Sequence, residues 1–254
     1  MKRTHTILAL LGALALAAAP AGADGVDFPV TVPAGIVRTY PYSMAGQLVF
    51  TSGDRNYQGS GTVVFKRSVL TAAHNVWNPD TGWSTNVEFN RARSGFLVAS
   101  RQFTTRLFVS GSYRTAAAQL GVDSTSAFAS DMAGLRFSAM PAGGGYAGWR
   151  ADFQSLFGAT ANICLGYGAE LHGGDELLAV QPALGFFPTA GAFMENSSLA
   201  FESGMSGGPV FAEVTPGDFR VVAVIVAGSA DPPAGGIRAL DATGVAFIRT
   251  YLQY

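Results

Sequence analysis

Cysteine is almost absent from this chain, whose 254 residues include only Cys164. A single cysteine cannot form an intramolecular disulfide, so packing and hydrogen bonds alone must hold the fold together. Charge is also scarce, because Asp, Glu, Lys and Arg make up 13% of the residues and the formal net charge is −1. This composition offers no strongly basic surface, and we therefore expect neither nucleic acid nor a membrane as a partner.

Histidine is nearly as rare, since the chain contains only three, at His5, His74 and His172. Structural and catalytic metal sites need several ligands, and no second histidine or cysteine lies at ligand spacing from His172. We therefore expect no metal and no cofactor, and we interpret His172 as a turn residue. Cys164 lies in an apolar segment, which predicts packing on a strand rather than a chemical role.

The first 23 residues have the pattern of a secretion signal. Lys2 and Arg3 precede an apolar stretch from Ile7 to Ala19, and Ala21-Gly22-Ala23 follows as a small-residue cleavage site. The apolar stretch is too short to span a membrane. We expect residues 1–23 to be removed as a signal peptide and the protein to be secreted or periplasmic.

The rest of the sequence favours many short strands. Its 32 glycines and low charge are typical of strands joined by tight turns. Predicted strands contain the runs Leu48–Phe50, Thr62–Phe65, Val87–Phe89, Phe96–Val98, Arg106–Val109, Val210-Phe211 and Val221–Val226. The segment 111–127 is less regular and includes a predicted helical turn at Thr115–Leu120. A C-terminal helix is predicted because Val245, Ile248 and Leu252 share one helical face, with Asp241 or Thr243 as its cap.

A candidate nucleophile, Ser206, lies in the run Glu202–Val210. A serine hydroxyl is a poor nucleophile unless a neighbouring base takes its proton. The run also fits the nucleophile elbow of α/β-hydrolases, in which the catalytic histidine follows the serine in the chain. No histidine follows Ser206. That fold is therefore excluded, and two candidate bases remain, His74 in the segment Leu70–His74 and His172, because His5 lies in the predicted signal peptide.

Three motifs follow one another in the order histidine, acid, serine. They are Gly59–Val64 leading into Val69–His74, then Ser130–Phe137, and finally Gly204–Val210. With these motifs the chain resembles the chymotrypsin/trypsin-like serine peptidase family over roughly residues 45–254, and the order is the one found in that family. Gly166-Tyr167-Gly168 and Val222–Gly228 are weaker similarities to the same family.

The resemblance implies an all-β fold of two packed six-stranded antiparallel barrels of chymotrypsin type with a C-terminal helix. Residues 24–44 are expected to form an N-terminal arm or a short propeptide. The first barrel is expected at 45–140, and the second barrel with the helix at 146–254. Pro141–Gly145 is the predicted linker between them, because its glycines tolerate many backbone conformations.

The resemblance also implies the roles of the candidate site residues. His74 would accept the proton of Ser206, and Asp131 would hold the imidazole in the required tautomer. Asp123 remains an alternative acid, because it also precedes a segment of small residues. The backbone N–H groups of Gly204 and Ser206 would stabilise the oxyanion.

The predicted substrate pocket follows from the family's spacing around the serine. It comprises Ala200, Phe201, Ser203, Val226, Ala227 and Gly228. Position 200 is an alanine, so no acid is present there to attract a basic side chain. Glutamate-specific relatives have a histidine near the position of Ile225, and this chain has none there. An apolar or small residue before the scissile bond is therefore expected.

The predicted function is that of a secreted serine endopeptidase acting on protein or peptide substrates. Two departures from the family's pattern bear on this prediction. Met205 replaces the acid that proteolytically activated members carry before the serine, which predicts a site that forms on folding. Asn75 replaces a disulfide cysteine of the animal members. The alternatives are a catalytically inactive double barrel that binds proteins, and a β-barrel adhesin or lectin, which explains the composition but none of the motifs.

Overall fold

A computed structural model describes residues 25–157, 162–170 and 172–253. The predicted signal peptide lies outside the described residues. In these ranges the strands are β1 (Val30–Thr31), β2 (Ala45–Ser52), β3 (Arg55–Phe65), β4 (Ser68–Thr71), β5 (Trp77–Asn78), β6 (Gly82–Trp83), β7 (Thr85–Arg91), β8 (Ser100–Phe103), β9 (Arg106–Val109), β10 (Ala133–Arg136), β11 (Gly148–Trp149), β12 (Asn162–Gly166), β13 (Leu178–Val180), β14 (Phe187–Ala190), β15 (Phe193–Asn196), β16 (Pro209–Thr215), β17 (Asp218–Ala230) and β18 (Pro233–Ala239). The helices are α1 (Ala34–Val37), α2 (Gly111–Leu120), α3 (Thr125–Phe128) and α4 (Ala242–Tyr251). No described helix is both long and apolar enough to cross a membrane.

The first sheet curls into a barrel. Its seven strands lie in the order β8-β7-β2-β3-β4-β10-β9, and all the neighbours are antiparallel. The two edge strands, β8 and β9, are separated in the chain only by Thr104 and Thr105. This short link joins opposite edges of the sheet, so β8 and β9 act as one bent strand that closes a six-stranded barrel. In this arrangement β8 pairs with β7 and β9 pairs with β10.

The second sheet is larger. Its core path is β13-β12-β16-β17-β18-β15, six antiparallel strands. Three further strands extend it, because β1 pairs with β13, β14 pairs with β15, and β11 lies parallel to β17. The predicted fold of two antiparallel barrels with a terminal helix is thus confirmed, with short additions on the second barrel.

One hydrophobic cluster joins the two barrels. It contains Leu48 and Val63 from the first barrel and Leu165 and Val224 from the second, all of which are fully buried. Burial of apolar surface on this scale is the main term that stabilises a fold of this kind. The barrels therefore pack against each other, and residues at their junction come from both halves of the chain.

The prediction of a strand at Phe96–Val98 is wrong. Phe96 is 99% exposed, and Ser94 and Leu97 form only an isolated bridge around Gly95, whose φ is +57°. A strand residue gains its stability from packing against neighbours, and Phe96 has no such environment. The strand at this edge, β8, begins four residues later.

The helices lie partly where the sequence predicts them. The helical turn expected at Thr115–Leu120 belongs to the ten-residue helix α2. At the C-terminus, Asp241 rather than Thr243 caps α4, because its carboxylate accepts a hydrogen bond from the N–H of Gly244 at 2.7 Å. Ile248 and Leu252 are fully buried, as expected for the predicted face.

The N-terminal arm is packed against the second barrel. Asp27 accepts a hydrogen bond from the N–H of Ala183 through its Oδ2 at 2.6 Å, and β1 adds to the sheet beside β13. Farther along, Val32 and Val37 are fully buried in the shared cluster. The arm thus contributes to the core of the folded chain.

Candidate active site

Strand pairing brings His74 and Asp131 together. His74 lies in a short 3-10 turn directly after β4, and Asp131 lies two residues before β10. These strands are antiparallel neighbours, with Thr71 paired to Ala133. The end of one strand therefore meets the beginning of the other, which places the two side chains at the same edge of the first barrel.

The carboxylate of Asp131 is fully buried and bound by three donors. Its Oδ1 accepts hydrogen bonds from the N–H groups of Ala73 at 2.5 Å and His74 at 3.1 Å. Its Oδ2 lies 2.6 Å from Nδ1 of His74. An ionised carboxylate only accepts hydrogen bonds, so Nδ1 carries the proton. In the neutral imidazole, Nε2 is then left as the free base.

Asp123, the alternative acid, does not bind the imidazole. It is exposed and lies beside the cleft described below, where its charge still acts on His74. Burial acts to lower the pKa of His74, but the charge of Asp131, its hydrogen bond and the charge of Asp123 outweigh this effect. The net result is a pKa raised above the ordinary histidine value.

Ser206 and His74 line one cleft of about 480 Å³ between the barrels. Its first-barrel wall includes Tyr57 and Gln58, and Val122 and Phe128 border another side. Four of the six predicted pocket residues line it: Ser203, Val226, Ala227 and Gly228.

The other two predicted pocket residues lie behind this surface. Ala200 and Phe201 are 2% and 1% exposed, and neither is among the residues that line the cleft. A β-carbon on Gly228 would lie 2.5 Å from Cβ of Phe201, so Phe201 packs directly against the cleft wall. Ala200, predicted at the base of the pocket, and Phe201 beside it are thus buried in the core and do not line the cleft.

Gly204 has a backbone conformation that suits only glycine. Its φ is +94°, and a β-carbon there would lie 2.5 Å from the carbonyl oxygen of Tyr167. Both facts exclude a side chain at this position. The sharp turn that carries Ser206 therefore depends on Gly204.

Hydrogen bonds orient the two amides predicted to bind an oxyanion. The carbonyl of Ser203 accepts from the N–H of Ala169 at 2.8 Å, and the carbonyl of Met205 accepts from the N–H of Gly208 at 2.9 Å. Because a trans peptide is planar, its N–H points opposite to its carbonyl. The orientations of the Gly204 and Ser206 N–H groups are thereby set, and neither donates a hydrogen bond to the part of the chain that the structure describes.

Comparison with solved structures gives three similar proteins. A Glu endopeptidase has a TM-score of 0.69 at 20% identity, over 89% of this chain and 97% of that one. The protease Anisep from Arthrobacter nicotinovorans has a TM-score of 0.64 at 18% identity, over 82% of this chain and 94% of that one. A thermostable serine protease, AL20, has a TM-score of 0.66 at 16% identity, over 86% of this chain and 98% of that one. No protein-family model and no curated protein matches the sequence.

The chain has the chymotrypsin-like fold. The two curled antiparallel sheets, the cleft between them and the terminal helix are the parts of that fold described above.

Two side chains that bind the turn around Ser206 are not predicted from the sequence. Ser60 donates from Oγ to the carbonyl of Gly204 at 2.7 Å and accepts from the N–H of Tyr167 at 2.9 Å. Asn75 donates from Nδ2 to the carbonyl of Ser206 at 2.9 Å. Both belong to motifs that the sequence marked, and their position beside His74 or between glycines was the available signal. Through them the first barrel holds the serine turn of the second.

Met205 is fully buried in the hydrophobic cluster of the second barrel. An unbranched side chain such as methionine fills irregular gaps well. Packing of Met205 in this cluster therefore holds the turn that carries Ser206. An acid at the same buried position would require a charged partner.

The remaining chemically reactive residues lie away from the cleft surface. Cys164 is buried on β12, where burial raises the pKa of its thiol. His172 lies in a turn, and its Nδ1 is 2.7 Å from Oε1 of Glu202. Among the described residues, no three His, Cys, Asp or Glu side chains form a group that could hold a metal ion.

Proposed function

We propose that this protein is a serine endopeptidase in which Ser206 is the nucleophile, His74 the general base and Asp131 the residue that orients His74. One observation carries the proposal: Nδ1 of His74 binds the buried carboxylate of Asp131 at 2.6 Å, and the same imidazole borders a cleft that Ser206 also lines. Similarity of fold to solved serine proteases supports it.

In the proposed mechanism, Oγ of Ser206 attacks the carbonyl carbon of a peptide bond while Nε2 of His74 takes its proton. The imidazolium then gives that proton to the leaving amine, and an acyl group remains on Ser206. Water repeats the sequence to release the acid. Asp131 stabilises the imidazolium throughout, because its buried negative charge favours the protonated ring.

The negative oxygen formed in each step requires fixed donors. The N–H groups of Gly204 and Ser206 are proposed for this role, since their peptide planes are held by Ala169 and Gly208 and they make no other described hydrogen bond. Fixed dipoles of this kind stabilise a transition state without reorganisation at the moment of reaction.

The proposed substrate is a protein or peptide with an apolar or small side chain before the scissile bond. Val226, Ala227 and Gly228 give the cleft wall an apolar character, and the described residues that line the cleft include no Lys or Arg. Glutamate is the competing preference, because one similar structure is a Glu endopeptidase. A carboxylate bound in this cleft would have no fixed cationic partner from an arginine or lysine.

We further propose that the protein is exported after removal of residues 1–23 and is active without a second cleavage. The packing of Val32 and Val37 in the core supports retention of the arm.

A fluorophosphonate probe tests the proposed function. Purified protein beginning at Asp24 should be labelled covalently, and the variant Ser206→Ala should not be labelled while it unfolds at a similar temperature. A peptide library then reports the residue before each cleaved bond. Absence of labelling and of cleavage in the unchanged, folded protein would favour the inactive double barrel that binds proteins.

A further inference from the structure

A second pair of a histidine and a carboxylate, His172 and Glu202, lies next to the segment that carries the proposed oxyanion donors. Nδ1 of His172 is 2.7 Å from Oε1 of Glu202, whose side chain is 2% exposed, whereas that of His172 is 29% exposed. The proposed catalytic steps use neither residue. Burying a carboxylate is costly unless it is paired, so such a pair at this position requires an explanation.

The pair joins a loop to the segment that precedes the nucleophile. The described part of this loop comprises residues 168–170 and 172–174, and the N–H of Gly174 donates to the carbonyl of Gly168 at 2.8 Å. Gly168 also leaves room for the acid, because a β-carbon there would lie 2.4 Å from Oε2 of Glu202. The loop is thus shaped to receive the carboxylate of Glu202.

A second contact between the same two segments fixes the oxyanion amide. The N–H of Ala169 binds the carbonyl of Ser203 at 2.8 Å, and this carbonyl belongs to the peptide whose N–H is that of Gly204. If the loop moved away, the Ser203 carbonyl would lose its donor, and the peptide would be free to rotate its N–H out of the cleft. The loop therefore controls the direction of one proposed catalytic donor.

We infer that His172 and Glu202 are positioning residues that hold the described part of this loop, 168–170 and 172–174, against Ser203 and so aim the N–H of Gly204 at the oxyanion. This inference rests on the proposed function. Ser203 makes an additional contact through Oγ, which donates to Oε1 of Glu170 at 2.7 Å, but this contact is exposed. The buried pair is the stronger restraint, because exposed polar contacts are weakened by competition with water.

The role predicts a specific kinetic defect. The N–H of Gly204 acts on negative charge that develops in the transition state, so loss of its orientation should slow the chemical step and leave binding of the reagent nearly unchanged. Complete loss of one oxyanion donor slows turnover by about 100- to 1000-fold in another serine peptidase. A misaligned donor should therefore slow the reaction by about tenfold or more.

Two variants distinguish the effect of the His172 hydrogen-bond donor from the effect of the size of its ring. His172→Phe keeps the ring but loses the hydrogen bond, whereas His172→Asn loses the ring but keeps an amide donor near the place of Nδ1. Each variant is treated with an alkyl fluorophosphonate, and the maximal labelling rate and the half-saturating concentration are measured separately. We expect His172→Phe to lower the maximal rate about tenfold or more with little change in half-saturation, and His172→Asn to recover most of the rate.

Glu176→Gln is the matched control. Oε2 of Glu176 accepts from Oγ of Ser94 at 2.9 Å, which anchors the chain just beyond the same loop. We expect this variant to be labelled at nearly the wild-type rate. Thermal unfolding of every variant shows that the rates refer to folded protein, and His172→Ala replaces His172→Phe if the latter does not fold.

Three results would overturn the inference. They are a wild-type maximal rate in His172→Phe or in the His172→Ala that replaces it, an equal loss in His172→Asn, or an equal loss in Glu176→Gln, which would indicate general loosening of the loop. Failure of the proposed function is distinguishable from all three, because the unchanged protein would then not be labelled at all.

Discussion

His74 and Asp131 are joined twice, through the imidazole and through the backbone. Oδ2 of the carboxylate binds Nδ1 at 2.6 Å, and Oδ1 binds the backbone N–H of the same histidine at 3.1 Å. The backbone bond fixes where the turn lies, and the ring bond fixes how the imidazole is oriented. A single buried acid thus positions both the main chain and the side chain of the proposed base.

This double contact makes Asp131→Asn a severe change. An amide replaces one of the two acceptor oxygens with a donor, so either the ring or the backbone N–H groups lose their partner. We expect kcat for a cleaved peptide to fall by about 10⁴-fold, the size of the effect of the same substitution at the triad acid of another serine protease.

The control for this substitution is Asp123→Asn, which removes a nearby charge without any hydrogen bond to the ring. Thermal unfolding checks that both variants are folded. An Asp131→Asn protein that keeps a large part of its turnover would show that Asp131 does not orient the base.

The pH dependence should respond to Asp123 in a defined direction. Catalysis needs neutral His74, so activity falls as pH decreases through the pKa of His74. Asp123 is one of the charges that raise this pKa, and its removal lowers it. We expect the acidic limb of kcat/KM to move to lower pH in Asp123→Asn.

Salt should reduce the difference, because Asp123 is exposed and its charge is screened. Asp54→Asn, which changes an exposed carboxylate whose charge does not contribute to the pKa shift of His74, is the comparison variant. A limb that stays in place, or moves to higher pH, in Asp123→Asn would contradict the electrostatic account.

Gly204→Ala should separate activity from stability. Its φ of +94° and the nearby Tyr167 carbonyl oppose a side chain, so the turn must shift to accept one. We expect turnover to fall by about 100-fold or more through misplacement of the oxyanion donor. The left-handed conformation should lower the free energy of unfolding by about 1–2 kcal/mol.

Gly217→Ala is the matched control for backbone strain. Gly217 has a φ of +79° in the turn between β16 and β17, and a β-carbon there would meet nothing within 4 Å. It should lose stability but keep its activity. Equal losses of activity in both variants would mean that strain alone, and not the oxyanion site, explains the effect.

The sequence predicts the architecture well because its signals are local. The glycine-rich composition predicts many short strands and the terminal helical face predicts a helix, whereas the two barrels are what the resemblance carried by the three motifs implies. The structure confirms all three. The roles of His74, Asp131 and Ser206 stay predictions that the geometry supports. The segment Phe96–Val98 has the apolar residues of a strand, but Phe96 and Leu97 are exposed and do not pack in the core. A local pattern does not reveal whether such packing exists.

The contacts that shape the site are not local. Ser60 and Gly204 are 144 residues apart, and Asn75 and Ser206 are 131 residues apart, yet each pair is joined by a hydrogen bond. No pattern in one chain shows which polar side chain will reach which distant carbonyl. Likewise, family spacing predicts Ala200 and Phe201 in the pocket, but spacing does not show that Gly228 of β17 packs against Phe201 at the cleft wall.

The last prediction concerns the N-terminal arm. If residues 25–44 were a propeptide, the mature protein would have to lose them. In the structure, the backbone of Asp27 pairs with Ser198 and Ala200, just before the segment that carries Glu202 and Ser206. Removal of residues 25–44 would also take Val32 and the other buried side chains of the arm out of the core. We therefore expect protein beginning at Asp24 to be active at once and protein beginning at Ala45 to be unstable and inactive.

Asp27→Ala provides a milder test of the same point. Its loss leaves the N–H of Ala183 without the carboxylate that binds it at 2.6 Å, which should lower the free energy of unfolding by about 1–3 kcal/mol. The fold should survive this change, and the labelling rate by a fluorophosphonate should fall only as the folded fraction falls. A protein that is silent until it is cut between residues 25 and 45, and that then keeps or gains stability, would establish the arm as a propeptide. Retained activity in the intact protein, lost together with stability when the arm is deleted, would establish the arm as part of the protein's core.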